Sequence, residues 1–355
     1  MPVAGAVRRT VSNVDAFLAT MVAQPPLSCA RAAALAHDGY GLEVHAERLT
    51  GERDENFRLT AADGTQYVLK IANAAEDPAV SELLTAALRH VACADPALPC
   101  PRVVAARGGA AQVDIADGAG ARRTARLLTY LPGVLLGAAP RSAQQRRACG
   151  RVAARLSRAL REFRHPAAQR ALIWDLGQMG QVQRLLAELP ELPHRQAAAG
   201  VLMRVVPVIE AQFPHLRRQV VHNDLNPLNI LVAAGDATQV TGIIDFGDLT
   251  HTALVADVAV AAAELIPAQC APGEGDAAQA VHELAAAYHE NLPLLPQEWA
   301  LLGTLVAARL VANVVVPAWH VQRNPAAGHY SAPDPAVIQA RLALAAQLLT
   351  EEMRP

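Results

Sequence analysis

The sequence predicts an α+β protein of two lobes: residues 1–130 form an antiparallel five-stranded sheet with one helix, and residues 131–355 form a mainly helical lobe. Three observations carry this. Residues 42–130 break into short runs separated by Asp63-Gly64 and Gly108-Gly109, which is the punctuation of strands. Past Leu131-Pro132-Gly133 the apolar residues recur at helical spacing. Late in the chain, two loops rich in Asp and Asn flank the apolar run Ile230-Leu231-Val232.

The elements follow in order. A helical lead-in covers residues 29–37. Runs 55–61 and 66–71 form a hairpin, because Asp63-Gly64 tolerates the positive φ of a tight turn; Lys70 therefore lies on a strand. A helix over 78–91 opens on Pro78, where a missing N–H costs nothing. Strands at 102–107, 112–116 and 123–130 bring the count to five, and the lobe boundary falls at 129–133. In the second lobe, Val152, Leu156, Leu160 and Phe163 give a helix over 142–164 its core stripe. Its other face carries Arg147, Arg151, Arg155, Arg158 and Arg161, expected as a solvated face. Further helices are expected near 177–190, 195–212, 253–266, 276–290, 297–316 and 334–352. The apolar run Trp299–Val316 contains Arg309 and Asn313; a mid-span arginine is costly in a bilayer, so a buried helix is expected and no membrane span.

At 355 residues, 52% hydrophobic and 18% charged, the chain can bury a full core. Its 31 basic and 33 acidic residues leave a formal charge of −2, with no electrostatic footprint for nucleic acid. Small molecules are the expected partners. Cysteines 29, 93, 100, 149 and 270 show neither zinc spacing nor disulfide density, which fits a reducing cytoplasm. Arginines interrupt residues 1–17 where a signal peptide needs an unbroken apolar stretch.

The strongest chemical signal is His222-Asn223-Asp224-Leu225-Asn226-Pro227-Leu228-Asn229, followed by Ile244-Asp245-Phe246-Gly247-Asp248. Phosphoryl transfer needs a carboxylate beside the acceptor hydroxyl and oxygen ligands that hold Mg²⁺ against a triphosphate. Asp224 suits the first task. Asn229 and Asp245 suit the second, and a hairpin between them would bring them together. His222, at the start of the loop, is expected as a hydrogen-bonded brace.

These residues, H-x-D-x-x-x-x-N at 222–229 and I-D-F-G-D at 244–248, resemble the aminoglycoside phosphotransferase-like, or choline kinase-like, branch of the protein-kinase superfamily. Leu49–Phe57, Tyr67–Lys70, Leu127–Gly133, Trp174-Asp175-Leu176 and Val240–Ala263 look most like hydroxylysine kinase and its bacterial relatives. The resemblance implies a two-lobed protein-kinase-like fold, ATP or GTP as phosphoryl donor with Mg²⁺, and a small hydroxyl-bearing acceptor. Within it, Lys70 faces the α- and β-phosphates, Gly51 and Asn56 belong to the loop over the triphosphate, Glu82 pairs with Lys70, and the nucleotide lies under the hinge near Leu128 and Tyr130. Glu76 is the alternative partner for Lys70. Asp248, Arg309 and Trp174 are expected on the acceptor side, with Arg309 and Asp248 taking the carboxylate and ammonium of an amino acid; Glu264 is the structural alternative for Arg309. Protein-kinase activity is disfavoured by Asn226, where a protein kinase carries lysine, and by the lack of an A-P-E element. An antibiotic phosphotransferase and a noncatalytic nucleotide-binding scaffold are the competing expectations; the intact Lys70, Asp224, Asn229 and Asp245 speak against the scaffold.

Overall fold

A computed structural model describes residues 26–51, 53–116, 122–266, 277–324 and 334–354. Residues 1–17 and Cys270, to which expectations attach, lie outside the described residues, as does Glu52 within the expected triphosphate loop.

Helix α1 (Cys29–Tyr40) is capped by Ser28 and stopped by Gly41 at φ 74°, the left-handed position that glycine fills without strain. Strands β1 (Val44–Leu49), β2 (Glu55–Ala61) and β3 (Gln66–Ile71) follow, then helix α2 (Pro78–Ala94), β4 (Val103–Val104), β5 (Val113–Ala116) and β6 (Arg122–Thr129). The sheet runs β1-β2-β3-β6-β4, with β5 also on β6, and every pairing is antiparallel. Among the described residues six strands stand where five were expected. The extra one is β1, an edge strand whose VHAERL sequence buries only Ala46; with no alternating apolar face, it is held by its ladder to β2. The expected strand over 102–107 shrinks to two residues before the Gly108-Gly109 turn, both glycines having φ 86°.

Among the described residues two apolar clusters form. Leu35, Ala36 and Tyr40 of α1 pack with Phe57, Leu59, Leu69, Ile71, Ala125 and Leu127 on one face of the sheet. Helix α2, capped by Asp77 with Pro78 at its first turn, puts Leu84, Ala87, Leu88 and Val91 into a second, larger cluster built mainly of C-terminal helices.

Those helices are α3 (Ala143–Ala159), α4 (Met179–Ala187), α5 (Arg195–Gln212), α6 (Val255–Leu265), α7 (Ala277–Asn291), α8 (Pro296–Arg323) and α9 (Pro335–Leu348). Gly150 lets α3 approach the Leu284 carbonyl of α7 more closely than any Cβ would permit. On the expected basic face of α3, Arg155 pairs with Asp95 at 2.9 Å, while Arg147, Arg151, Arg158 and Arg161 are exposed. Helices α5 and α8 are both long and apolar enough to cross a membrane by length and composition; 89% of the relevant stretch of α8 is buried inside the protein, against 39% for α5. Helix α8 runs seven residues past its expected end at 316, straight through Pro317. The carbonyl of Asn313, four residues earlier, is the one that a proline leaves without its helical N–H, and Arg341 Nη1 of α9 donates to it at 3.2 Å.

Between α5 and α6 lie β8 (Arg218–Val221), β9 (Ile230–Ala233), β10 (Asp236–Ile243) and β11 (Thr250–Ala253). The β9–β10 hairpin is joined at Gly235, φ 87°, and β8 pairs with β11. The short β7 (Val134–Leu135) adds to β9.

Candidate active site

The catalytic-loop candidate starts where β8 ends. His222 is fully buried, and its ring lies edge-on to Phe246 at 4.8 Å. Its Nδ1 accepts the Asp224 N–H at 3.3 Å while Nε2 lies 3.1 Å from the Ile244 carbonyl. Accepting at one nitrogen and donating at the other is the pattern of a neutral imidazole, and burial lowers the His222 pKa in the same direction. Asn223 sits at φ 65°, a conformation that Asn tolerates better than most residues. The N–H groups of His222 and Asn223 donate to the two oxygens of Asp257 on α6, at 3.0 and 2.6 Å. Asp257 was not anticipated; its signal was a carboxylate in the first turn of the apolar helical run VADVAVAAAEL.

Asp224 is held by three side chains. Its Oδ1 accepts from Asn226 Nδ2 at 3.0 Å and from Arg309 Nη2 at 3.1 Å, and its Oδ2 accepts from Asn229 Nδ2 at 2.7 Å. Burial pushes the Asp224 carboxyl up to about 7, against the opposing pull of Arg309. Pairing of Ile230 with Ile243 across the β9–β10 hairpin places Asn229 beside the second acidic loop, and the Ile244 N–H donates to the Asn229 carbonyl at 2.9 Å. Because the Asn229 NH₂ faces Asp224, its Oδ1 remains as the atom available to a cation.

Asp245 adopts φ 57° and caps the short turn Phe246–Asp248 through a 3.3 Å contact from the Gly247 N–H. Its half-exposed carboxylate meets Lys70 Nζ at 3.2 Å, and Lys70 holds its pKa well below the usual carboxylate range. The register of β2, β3 and β6 sets Asn56, Lys70 and Arg126 side by side.

Lys70 does not pair with Glu82. On α2 the inward stripe is Ser81, Leu84, Thr85 and Leu88, which turns Glu82 to solvent. The carboxylates that Lys70 meets are Asp245 and, at 3.9 Å, Asp54, which also binds Arg126 at 2.6 Å. Glu76 stays close, accepting from Ser81 Oγ at 2.8 Å; burial and then the Asp54 charge raise its pKa. Asp54 and Arg53 look in sequence like solvated turn charges, whereas Arg126 had a signal as an arginine next to the apolar pair Leu127-Leu128 of its strand.

Gly51 lies in the β1–β2 loop, where a Cβ would collide with the Asp54 carbonyl and the Asn56 amide. Arg53, in the same loop, reaches Asp248 Oδ1 at 2.6 Å. Arg170 clamps the acidic turn from beneath through the carbonyls of Gly247 and Leu249. Leu128 is buried near the end of β6, and the Tyr130 N–H donates to the Gln66 carbonyl at 3.2 Å.

On the other side of Asp224, Arg309 Nε donates to Glu264 Oε1 at 3.2 Å, and its guanidinium lies 4.8 Å from the centre of the Trp174 ring. The expected pairing of Arg309 with Asp248 as an amino-acid clamp is not formed, since Arg53 occupies Asp248 and Glu264 with Asp224 occupy Arg309. Contacts thus link Asn56 and Lys70 to Asp245, and Asn229, Asp224, Arg309 and Trp174 to one another, while Asp248 closes the acidic turn that begins at Asp245.

The arrangement pairs a held carboxylate with a lysine–aspartate–asparagine group suited to phosphate and cation, and the chain belongs to the Phosphotransferase enzyme family, which it matches over residues 45–296. It is a small-molecule kinase, acting on a hydroxyl acceptor. Among its relatives is the hydroxylysine kinase of Mus musculus, 29% identical over 326 residues that cover 85% of each chain. The hydroxylysine kinase of Bos taurus is 28% identical, over 89% of this chain and 88% of that one. Solved structures share the fold: an amicoumacin kinase bound to AMP-PNP and Ca²⁺ (TM-score 0.69, 14% identity, covering 90% of this chain and 94% of that one) and a microcompartment-associated aminopropanol kinase (TM-score 0.59, 19% identity, covering 91% and 95%).

Proposed function

We propose that the protein transfers the γ-phosphoryl group of ATP or GTP to the side-chain hydroxyl of an amino alcohol or hydroxy-amino acid, with hydroxylysine as the leading acceptor. The observation that carries this is the position of Asp224. Through Asn229 it adjoins the Lys70–Asp245 pair, and through Arg309 it adjoins Glu264 and Trp174 on the acceptor side. Two carboxylates, Asp224 and Glu264, share the single cation Arg309 there, and this excess of acid suits an acceptor with an ammonium group. The relatives named hydroxylysine kinase span most of this chain, which supports the same class.

Asn229 and Asp245 fit a Mg²⁺ ion. Among the described residues no three His, Cys, Asp or Glu side chains gather into a protein-only metal cage, and magnesium at a triphosphate takes one or two protein oxygens with phosphate and water for the rest. When bound, the ion neutralises charge on the β- and γ-phosphates. Lys70 then faces the phosphates, the loop with Gly51 and Asn56 covers them, and the base sits under Leu128 and Tyr130. Asp224 orients the acceptor hydroxyl and receives its proton. In this reading residues 1–130 are the nucleotide side and 131–355 the catalytic and acceptor side, working in the cytoplasm.

A coupled nucleotide-consumption assay with ATP and GTP, run against hydroxylysine, homoserine, ethanolamine, choline, 1-amino-2-propanol and several aminoglycosides, tests the proposal. Turnover is expected with hydroxylysine or a close amino-hydroxy compound. Turnover confined to the aminoglycosides would replace this acceptor class with an antibiotic one.

A further inference from the structure

We propose that Arg309, from the middle of α8, is a positioning residue for Asp224: it supplies from a distant helix the cation that the catalytic loop itself lacks. The inference rests on the reading of Asp224 as the proton acceptor. Two residues after Asp224 stands Asn226, a neutral donor. The positive charge at this carboxylate comes from Arg309, 85 residues away in sequence, through Nη2 at 3.1 Å from Oδ1.

Three features separate this role from ordinary core packing and from acceptor binding. First, the arginine is over-determined. Nε is fixed by Glu264 Oε1, the same oxygen takes Asn313 Nδ2 at 2.7 Å one helical turn along α8, and the Trp174 ring backs the guanidinium at 4.8 Å. A side chain locked on three sides can hold a rotamer elsewhere. Second, Arg309 is 4% exposed, so the acceptor meets Asp224 and Trp174 before it meets the guanidinium. Third, a buried ion pair is a poor way to gain stability, because desolvation consumes most of the attraction; a purely structural position would be served as well by an apolar residue.

The hydrogen bonds also single out an atom. Oδ1 already accepts two N–H groups, from Asn226 and Arg309, whereas Oδ2 accepts one, from Asn229. Each carboxylate oxygen has two acceptor sites. Oδ2 is therefore the oxygen with room for the acceptor hydroxyl. In transfer the hydroxyl O–H breaks, its proton passes to Oδ2, the hydroxyl oxygen bonds to the γ-phosphorus, and the electron pair of the broken P–O bond leaves on the nucleoside diphosphate.

The test compares Arg309→Met, Arg309→Lys, Asp224→Asn and the Asp224→Asn/Arg309→Met double variant. The readouts are kcat, acceptor KM, nucleotide Kd, melting temperature and slow acceptor-independent nucleotide hydrolysis. Arg309→Met should lower kcat by about 100-fold while acceptor KM and nucleotide Kd stay within about twofold, the signature of an interaction needed in the transition state. Arg309→Lys should recover about tenfold of that loss. In the Asp224→Asn background, Arg309→Met should cost less than about threefold more, because residues acting as one unit are not additive. A raised acceptor KM with intact kcat would make Arg309 an acceptor contact. Additive losses in the double variant, or Lys and Met variants equally inactive and equally destabilised, would make it a packing residue. Hydrolysis separates this inference from the acceptor reading. If the wild type phosphorylates no amino-hydroxy compound yet hydrolyses nucleotide at a rate that Arg309→Met lowers through Asp224, the acceptor class fails and the Arg309 role stands. Normal kcat on hydroxylysine in Arg309→Met overturns the role alone.

Discussion

Asp224 and Asp245 are both carboxylates in acidic loops, yet their surroundings set them to opposite tasks. Asp224 is crowded by amide and guanidinium donors and its pKa is raised by burial, whereas Asp245 is half-exposed and kept ionised by Lys70. Asp224→Asn should therefore lower kcat by about 10²–10⁴-fold, the usual contribution of a positioned general base. Nucleotide Kd should change little, and a calorimetric titration beside the rate assay checks the split. Asp245→Ala should instead weaken nucleotide binding only when Mg²⁺ is present; equal affinity with and without the metal in both wild type and variant would remove Asp245 from the cation site. The lysine partner gives a third contrast. Asp54 is the carboxylate for both Arg126 and Lys70, and removing one member of a buried charged group costs about 3–5 kcal/mol. Asp54→Ala should thus lose stability in chemical denaturation and raise nucleotide KM. Glu82→Ala, at an exposed position of α2, should stay within about 0.5 kcal/mol and keep wild-type kinetics.

At the scale of elements, periodicity made most of the second lobe legible. The apolar stripe located α3, although the helix stops at Ala159, short of the expected 164. Only Val152 and Leu156 lie on it, and Leu160 and Phe163 pack from the turn beyond. The hairpin turn Asp63-Gly64 put Lys70 on its strand. The motif at 222–229 placed Asp224 and Asn229 because loop and hairpin are contiguous in sequence. What the sequence could not display was contact across the fold. Glu82 and Glu76 look eligible as partners for Lys70, and Asp54 like a solvated turn charge, until the rotation of α2 and the course of the β1–β2 loop are known. Strand β1 lacks an apolar alternation because its ladder, not its face, holds it. Helix α8 looked finished at Val316 because Pro317 removes a backbone donor, and the remedy, Arg341, comes from another helix. That compensation is testable. An orphaned buried carbonyl costs about 1–3 kcal/mol, so Arg341→Met should destabilise by that amount. Pro317→Ala restores an N–H at 317 and should make Arg341→Met nearly neutral in the double-mutant cycle. Full additivity of the two changes in denaturant unfolding would show that Arg341 does not serve the Asn313 carbonyl.

Across the whole molecule, the N-terminal sheet and the acidic turn Phe246–Asp248 are tied by two charged bridges, Lys70–Asp245 at 3.2 Å and Arg53–Asp248 at 2.6 Å. Each spans more than 170 residues of sequence, so neither is a local device. Both flank the place where a triphosphate would enter, and the second fixes the β1–β2 loop that carries Gly51. Asp248 cannot follow Arg53 outward, because Arg170 holds the carbonyls of Gly247 and Leu249 from below and Asp248 itself is only 6% exposed. The mobile partner of the bridge must then be the loop. A hydrogen bond to a charged group contributes about 1.5–3 kcal/mol, and such a loss in a local opening equilibrium raises exchange of the amides it protects by roughly tenfold or more. Arg53→Met should therefore accelerate hydrogen–deuterium exchange at Asp54–Phe57 and leave β6 and α8 unchanged. Arg58→Met, which breaks the more exposed contacts with Glu47 and Tyr130, should not. Saturating nucleotide should restore much of the protection in the Arg53 variant, because the triphosphate offers the loop amides new acceptors. Exchange at 54–57 that is identical in wild type and Arg53→Met would show that the loop is held by its own backbone packing around Gly51, and the bridge would lose its part in closing the cleft.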